Sequence, residues 1–185
     1  AVVKLSNGTY MPLDPTWVPF CRELWSSAEQ QQNYLPGVPE GSDLCITPVS
    51  APENHYVRIK ADNRLEADGT LRGTFTLTAE GQSDSNIRRI FTTGFQSEWK
   101  STMERQLLAI SPKARLLSVD YGKNPKDYQA APIKITFRYE IPDYALRGEG
   151  EMFFRPMVMN NLYNQVRSYI WIDTSVENRK YGFKD

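Results

Sequence analysis

The stretch HYVRIKADNRLEADGTLRGTFTLTA, residues 55–79, decides the fold class of this chain. Apolar and polar side chains alternate in both of its halves: Val57, Ile59 and Ala61 with Tyr56, Arg58 and Lys60, then Leu71, Phe75, Leu77 and Ala79 with Thr70, Arg72, Thr74, Thr76 and Thr78. A period of two is typical of strands that bury one face. Asp68-Gly69 separates the halves as a turn signal, so the stretch predicts an antiparallel hairpin.

Two amphipathic helices are predicted directly after this hairpin. Ser83–Phe91 places apolar residues at helical spacing before Gly94, and Ser97–Ile110 does the same before Pro112. The apolar stripe of the second helix consists of Trp99, Met103, Leu107 and Ile110. We therefore expect the Trp99 indole in the core.

Strand alternation returns after the helices, near Leu117–Tyr121, Ile133–Tyr139 and Leu146–Phe154. Hairpin-connected strands with a helical pair between them predict an α+β fold, a mainly antiparallel sheet with two helices on one face. A β-sandwich with a helical insertion is the alternative.

The first 52 residues follow a different pattern. Val2–Leu5 and Thr9–Leu13 predict a hairpin in which Asn7-Gly8 supplies a two-residue turn. Trp17–Tyr34 contains a predicted short helix, because its serines and the Glu and Gln that follow have capping-box spacing. Residues 35–52 are rich in Pro, Gly and Ser and predict a linker or surface loop.

The composition disfavours several classes of partner. Lys and Arg number 22, Asp and Glu also number 22, and neither sign forms a long block, so nucleic acid and anionic lipid are poor candidates. No apolar run approaches the ~20 residues that span a bilayer. We expect no membrane span.

The cysteines and the histidine do not form a recognisable metal or thiol site. Cys21 and Cys45 lack a CxxC spacing, and His55 is the only histidine, so we expect no metal and no cofactor. We expect both cysteines to be free thiols, with a Cys21–Cys45 disulfide as an open alternative. A thiol hydrolase would need one of them within hydrogen-bond reach of His55.

The opening NGTYMPLDPT, residues 7–16, resembles the strand that presents the last member of the Cys-His-Asp triad in transglutaminase-like (papain-type) domains. The stretches LWSSAEQQQ (residues 24–32) and ENHY (residues 53–56) resemble segments that follow this strand in exported bacterial members of that family. The resemblance implies that residues 1–52 are a remnant of the transglutaminase-like domain plus a linker. It implies that residues 53–185 are a β-rich accessory domain.

Asp14 matches the orienting carboxylate of the family triad. In the family order Cys, His and then Asp, both cysteines and His55 of this chain follow Asp14, so the resemblance implies that the catalytic Cys and His lie upstream. A triad needs a nucleophile, a base and an orienting group together. We therefore expect no catalysis by this chain alone, and a role for Asp14 only in the intact parent.

The function that follows from the resemblance is that of a non-catalytic accessory domain. Its partner would be the catalytic domain of the same parent chain, and its location periplasmic or extracellular. The alternative is a free-standing β-rich module that binds carbohydrate or protein through exposed aromatic rings. Trp17 and Trp25, beside the Asp14 hairpin, are the candidate binding residues.

Overall fold

The computed structural model describes residues 2–13, 30–49, 51–130 and 132–156. Its strands and α-helices, in chain order, are β1 (Val2–Lys4), β2 (Tyr10–Pro12), β3 (Asn33–Tyr34), β4 (Cys45–Ile46), β5 (Tyr56–Leu65), β6 (Leu71–Glu80), α1 (Gln82–Thr92), α2 (Trp99–Leu108), β7 (Arg115–Asp120), β8 (Ile133–Ile141), β9 (Leu146–Arg147) and β10 (Met152–Phe153). Among the described helices, none has the length and apolar character needed to cross a bilayer.

The principal sheet has four antiparallel strands in the order β5-β6-β8-β7. The hairpins β5–β6 and β7–β8 are each local in the chain, and the pairing of β6 with β8, from Leu71↔Ile141 to Ala79↔Ile133, joins them. The two helices occupy the connection between β6 and β7. The predicted α+β fold with a mainly antiparallel sheet is therefore confirmed.

One face of this sheet, here called the inner face, packs against the helices and forms the core. The strand residues buried on it are Leu71, Phe75, Leu77, Ala79, Leu116, Ile133, Ile135, Phe137, Tyr139 and Ile141. Removing apolar area from water stabilises the fold by about 25 cal/mol per Å². The alternation read from residues 55–79 thus corresponds to one buried and one solvated face.

Both predicted helices are present, and their apolar stripes face the sheet. Ile87 and Phe91 of α1 are buried, as are Trp99, Met103 and Leu107 of α2. The Trp99 indole N–H also donates to the backbone oxygen of Phe91 at 3.2 Å, which ties the start of α2 to the end of α1.

The turn at Asn7-Gly8 differs from the predicted two-residue type, and the turn predicted at Asp68-Gly69 has the same three-residue form. Gly69 has φ 83°, its N–H donates to the Glu66 carbonyl, and Glu66 N–H donates to the Thr70 carbonyl, so three residues form the loop. The loop at Gly8, with φ 84°, has the same pattern. Only the glycine of each pair takes a positive φ, whereas a two-residue type I′ turn requires two such residues.

Three other predictions need correction. The helix predicted for Trp17–Tyr34 lies mostly outside the described residues, and its end is not helical, since Gln31 has φ 55° and Asn33–Tyr34 forms β3. β3 pairs with β4, so the predicted linker of residues 35–52 contributes one short strand to an antiparallel pair. The strand predicted around Leu146–Phe154 is the short hairpin β9–β10, which turns at Gly150 with φ 78°.

Candidate binding surface

The residues that the sequence singled out for chemistry lie mostly beyond the described structure. Asp14, Trp17, Trp25 and Cys21 fall in residues 14–29, outside the described ranges. Their predicted roles stay predictions.

Cys45 and His55 have separate surroundings. Cys45 carries a free thiol, which contacts the Asp43 carbonyl oxygen at 3.7 Å. Burial, and then the nearby Cys45, raises the pKa of Tyr34. His55 packs where β6 turns into α1, because a Cβ at Gly81 would lie 2.5 Å from His55 Nδ1. Of the described residues, no group of three or more His, Cys, Asp or Glu is arranged to hold a metal ion.

The solvated side of the principal sheet, here called the outer face, is a regular polar surface. Cross-strand pairing sets its side chains in rows, such as Asp62, Thr74, Arg138 and Ser118, or Lys60, Thr76, Thr136 and Asp120. The Thr76 and Thr136 hydroxyls lie 3.3 Å apart across β6 and β8. The rows arise because directly opposite residues of antiparallel strands project to the same face.

Basic side chains outnumber acidic ones on the outer face, although the whole chain is neutral. The basic residues are Arg58, Lys60, Arg64, Arg72, Arg115, Lys134 and Arg138, and the acidic residues are Asp62, Glu80, Asp120 and Glu140. All of the basic residues are exposed. The sequence contained this signal, since each basic residue stands at an outward position of an alternating strand, but total charge alone concealed it.

Glu140 fixes two of these guanidinium groups. Its carboxylate accepts from Arg72 Nε at 3.1 Å and from Arg115 at 3.1 Å, on the strands either side of β8. The hydrogen bond from Arg72, and then that from Arg115, lower the pKa of Glu140 against the opposing effect of desolvation. The carboxylate therefore holds both cations in place while leaving them exposed.

A buried ion pair organises the opposite side of the molecule. Asp84 and Arg88 stand four residues apart on α1, both about fully buried, with Arg88 Nε 2.6 Å from Asp84 Oδ2. Arg88 also donates to the carbonyl oxygens of Pro125, Asp127 and Ala130 in the β7–β8 loop. With a second bond to Asp84, from Arg88 Nη2 to Oδ1 at 3.0 Å, all five guanidinium N–H groups have acceptors. Satisfied on every side, this Arg88 network is structural.

The Arg88 network was missed in the sequence, where only its helical part has a signal. Asp and Arg at i and i+4 usually form an exposed pair on a helix surface. The carbonyl acceptors belong to a loop some 40 residues further along, so spacing alone does not place them near α1.

A second polar contact crosses the inner face. The Tyr139 hydroxyl on β8 donates to Asn63 Oδ1 on β5 at 2.5 Å, passing over Gly73 of the intervening strand. A Cβ at Gly73 would lie 1.9 Å from that oxygen, so glycine is required for this contact. Burial raises the pKa of Tyr139 to about 12.

Fold and site together define an α+β domain in which a helix pair covers one face of a four-stranded antiparallel sheet and the other face is open and rich in basic side chains. The Arg88 network and the Tyr139–Asn63 contact act in structure, and the exposed charges of the outer face form a surface suited to binding. Comparisons of the chain with protein-family models, curated proteins and solved structures gave no match.

Proposed function

We propose that this chain is a non-catalytic accessory domain of a transglutaminase-like protein and that its outer face binds an acidic protein surface. The observation that carries the binding role is the set of exposed basic side chains aligned on that face. Guanidinium groups match carboxylates in bidentate geometry, and threonine hydroxyls between them can donate or accept. The first partner that we propose is the catalytic domain of the same parent, in a periplasmic or extracellular setting.

The outer face favours protein over carbohydrate as its ligand. Sugar binding usually relies on exposed aromatic rings that stack on the sugar. On the described outer face, Tyr56 is the aromatic residue, and the Arg58 guanidinium lies 4.1 Å from the centre of its ring. That arrangement leaves cationic groups, rather than a flat ring, facing solvent.

Charge reversal at the centre of the outer face tests this proposal. In Lys134→Glu/Arg138→Glu, two exposed cations of β8 become anions while the buried face of the strand is unchanged. A peptide rich in Asp and Glu should shift the NMR signals of backbone amides in β6 and β8 of the unsubstituted chain. The double variant should bind this peptide at least about tenfold more weakly. Lys100→Glu, on the exposed side of α2, is the matched control and should bind the peptide as tightly as the unsubstituted chain does.

The outcomes separate the two classes of ligand. If cello- or chito-oligosaccharides perturb the outer face and the acidic peptide does not, the module is a carbohydrate binder. If neither ligand perturbs it, or if Lys100→Glu weakens binding as much as the double variant, the outer face is not the binding surface. Binding of the parent's isolated catalytic domain, with the same dependence on Lys134 and Arg138, would identify the partner.

The non-catalytic part of the proposal has its own test. The resemblance assigns Asp14 an orienting role, and an orienting carboxylate contributes only through the imidazole that it holds. The 185-residue chain should therefore hydrolyse or transfer no amide or ester substrate above the buffer rate, and Asp14→Asn should leave that rate unchanged. Turnover that exceeds the buffer rate and is lost in Asp14→Asn would overturn this reading.

A further inference from the structure

Strand β5 forms one edge of the principal sheet, and it is a long and regular edge. Its ten residues pair with β6 without interruption, from Tyr56↔Glu80 to Leu65↔Leu71. The other edge, β7, is shorter and has a register shift between Leu116 and Ser118. Bulges and short strands protect edges from pairing with other chains, so among the described strands of this sheet β5 is the edge that is open to strand addition.

The backbone groups that face this open edge follow from the hairpin. Glu66 N–H donates to the Thr70 carbonyl, so the residues in phase with Glu66 point their backbone groups towards β6. The alternate residues point theirs outward: Val57, Ile59, Ala61, Asn63 and Leu65. The side chains of these same residues lie on the inner face, so an added strand would extend that face.

The helices leave this part of the inner face uncovered. Ile59 is 39% exposed and Ala61 is exposed, whereas Leu77 and Phe75, their cross-strand neighbours on β6, are fully buried. Apolar groups at a sheet edge gain stabilisation when another strand covers them. The open edge therefore offers both backbone hydrogen bonds and apolar contact.

The outward charges along the edge identify the partner. Lys60, Asp62 and Arg64 of β5 and Glu66, the residue after it, alternate in sign, and Arg64 Nε lies 3.4 Å from Glu66 Oε1 within one chain. When two copies run antiparallel about a two-fold axis at Asn63, Lys60 faces Glu66 and Asp62 faces Arg64, each pair occurring twice. Opposite charges directly across an antiparallel pair stabilise it.

Neighbouring registers place like charges opposite one another. With the axis at Asp62, that carboxylate faces its own copy and Lys60 faces Arg64. With the axis at Ala61, Arg58 faces Arg64, and with the axis at Arg64 that residue faces itself. The axis at Asn63 avoids all of these contacts and still pairs outward-facing residues with outward-facing residues.

We propose that two copies of this chain pair antiparallel along β5 about a two-fold axis at Asn63, which joins their sheets into one continuous eight-stranded sheet. The dimer buries Ala61 against Leu65 of the second copy on the inner face. It leaves the β6 and β8 rows of the outer face open, so it is compatible with, and independent of, the proposed binding role of that face.

Sedimentation velocity of the 185-residue chain, from low to high micromolar concentration, measures this association. The unsubstituted chain should pass from monomer to dimer over that concentration range. Arg64→Glu places like charges opposite Asp62 twice in each dimer and should weaken association about tenfold or more. Asp62→Arg should have a similar effect, and the double variant Asp62→Arg/Arg64→Glu should restore the dimer, because the charges are then exchanged.

Ala61→Pro separates pairing from folding. It removes an N–H that faces the open edge and that β6 does not use, so the monomer should stay folded by circular dichroism while dimerisation is lost. Lys134→Glu, on β8 two strands away from β5, is the control and should dimerise like the unsubstituted chain. The proposal is overturned if the unsubstituted chain stays monomeric at every concentration, or if the double charge variant Asp62→Arg/Arg64→Glu does not recover association.

Discussion

The guanidinium of Arg88 binds the Asp84 carboxylate of its own helix and three carbonyl oxygens of the β7–β8 loop. A fully buried ion pair gains little over apolar residues of similar size, because removing two charges from water is costly. Removing one partner is strongly destabilising, because the other charge is then buried and unpaired. The pair therefore makes the loop geometry specific, more than it adds to total stability.

Replacing Arg88 by Met should be among the most destabilising single changes in the chain. It leaves the Asp84 carboxylate and the loop carbonyls without their donor, and we expect the free energy of unfolding to fall by about 3–5 kcal/mol. Denaturant titration measures this loss. Arg89→Met, one residue along on the exposed side of α1, is the control and should change stability by less than about 0.5 kcal/mol.

The double variant Asp84→Asn/Arg88→Met should lose less stability than the two single variants added together, because it removes the unpaired charge. Additive losses would show that the two groups do not interact.

Gly73 provides a second test on single residues. In Gly73→Ala the new methyl group would overlap Asn63 Oδ1 and approach the Asp62 backbone oxygen to 2.7 Å. We expect a loss of about 1–3 kcal/mol, the usual cost of overpacking. Gly148→Ala meets no atom within 4 Å and should be neutral or slightly stabilising. Equal effects of the two substitutions in thermal unfolding would contradict the role assigned to Gly73.

The helix pair depends on a cluster of aromatic rings, from the end of α1, the start of α2 and the residue after β7. Trp99 packs edge-to-face on Phe91, with ring centres 5.2 Å apart, and against Tyr121 at 5.5 Å. Such pairs add about 0.5–1.5 kcal/mol beyond area burial. These ring contacts hold the end of α1 against the start of α2.

Trp99→Ala should therefore lower the free energy of unfolding by about 3–5 kcal/mol, as for other buried large aromatic residues. The control is Phe95→Ala in the α1–α2 connection, where the ring is 76% exposed and its loss should cost little. Urea titrations of both variants measure the difference. A Trp99→Ala loss under about 1 kcal/mol would place the indole outside the cooperative core.

The elements that sequence reasoning found are those with a clear period. The strands from Tyr56 to Glu80 and both helices follow from alternation and apolar stripes. The order β5-β6-β8-β7 did not, because period fixes which face is buried and leaves open which strands become neighbours. The β3–β4 pair was missed, and the β9–β10 hairpin was predicted as a single strand, because two-residue strands are too short for any period.

The candidate binding surface was predictable in part. The alternation of residues 70–79 predicted that one face of this strand is buried and the other is not, but the basic rows appear only when β5, β6, β8 and β7 are placed side by side. Trp17 and Trp25, chosen as aromatic residues beside the Asp14 hairpin, lie outside the described residues. The sequence therefore indicated the strand that presents the surface and not the charge that it carries.

At the scale of the whole molecule, the buried Tyr139 hydroxyl makes stability depend on alkaline pH. Its pKa rises from 10.0 to about 12 on folding, so the unfolded chain releases this proton at lower pH than the folded chain does. The stabilisation is fully present below pH 10 and is lost as pH rises through 12, by up to about 2–3 kcal/mol. Denaturant titrations between pH 9 and 12 measure it.

Tyr139→Phe is the control for this dependence. The variant lacks the titrating hydroxyl, so its free energy of unfolding should fall less steeply above pH 10 than that of the unsubstituted chain. Parallel pH profiles of the two proteins would assign the alkaline loss to other groups.

The Arg88 network has a further consequence, for the exchange of amide hydrogens with solvent. The N–H of Ile133 opens β8, at a strand end, where fraying normally makes exchange fast. Its acceptor, however, is Asp84 Oδ1 at 2.7 Å, on a helix that the core holds against the sheet. Deuterium uptake at this first position of the strand therefore requires α1 to separate from the sheet, so one amide at the end of β8 reports opening of the whole helix-to-sheet contact.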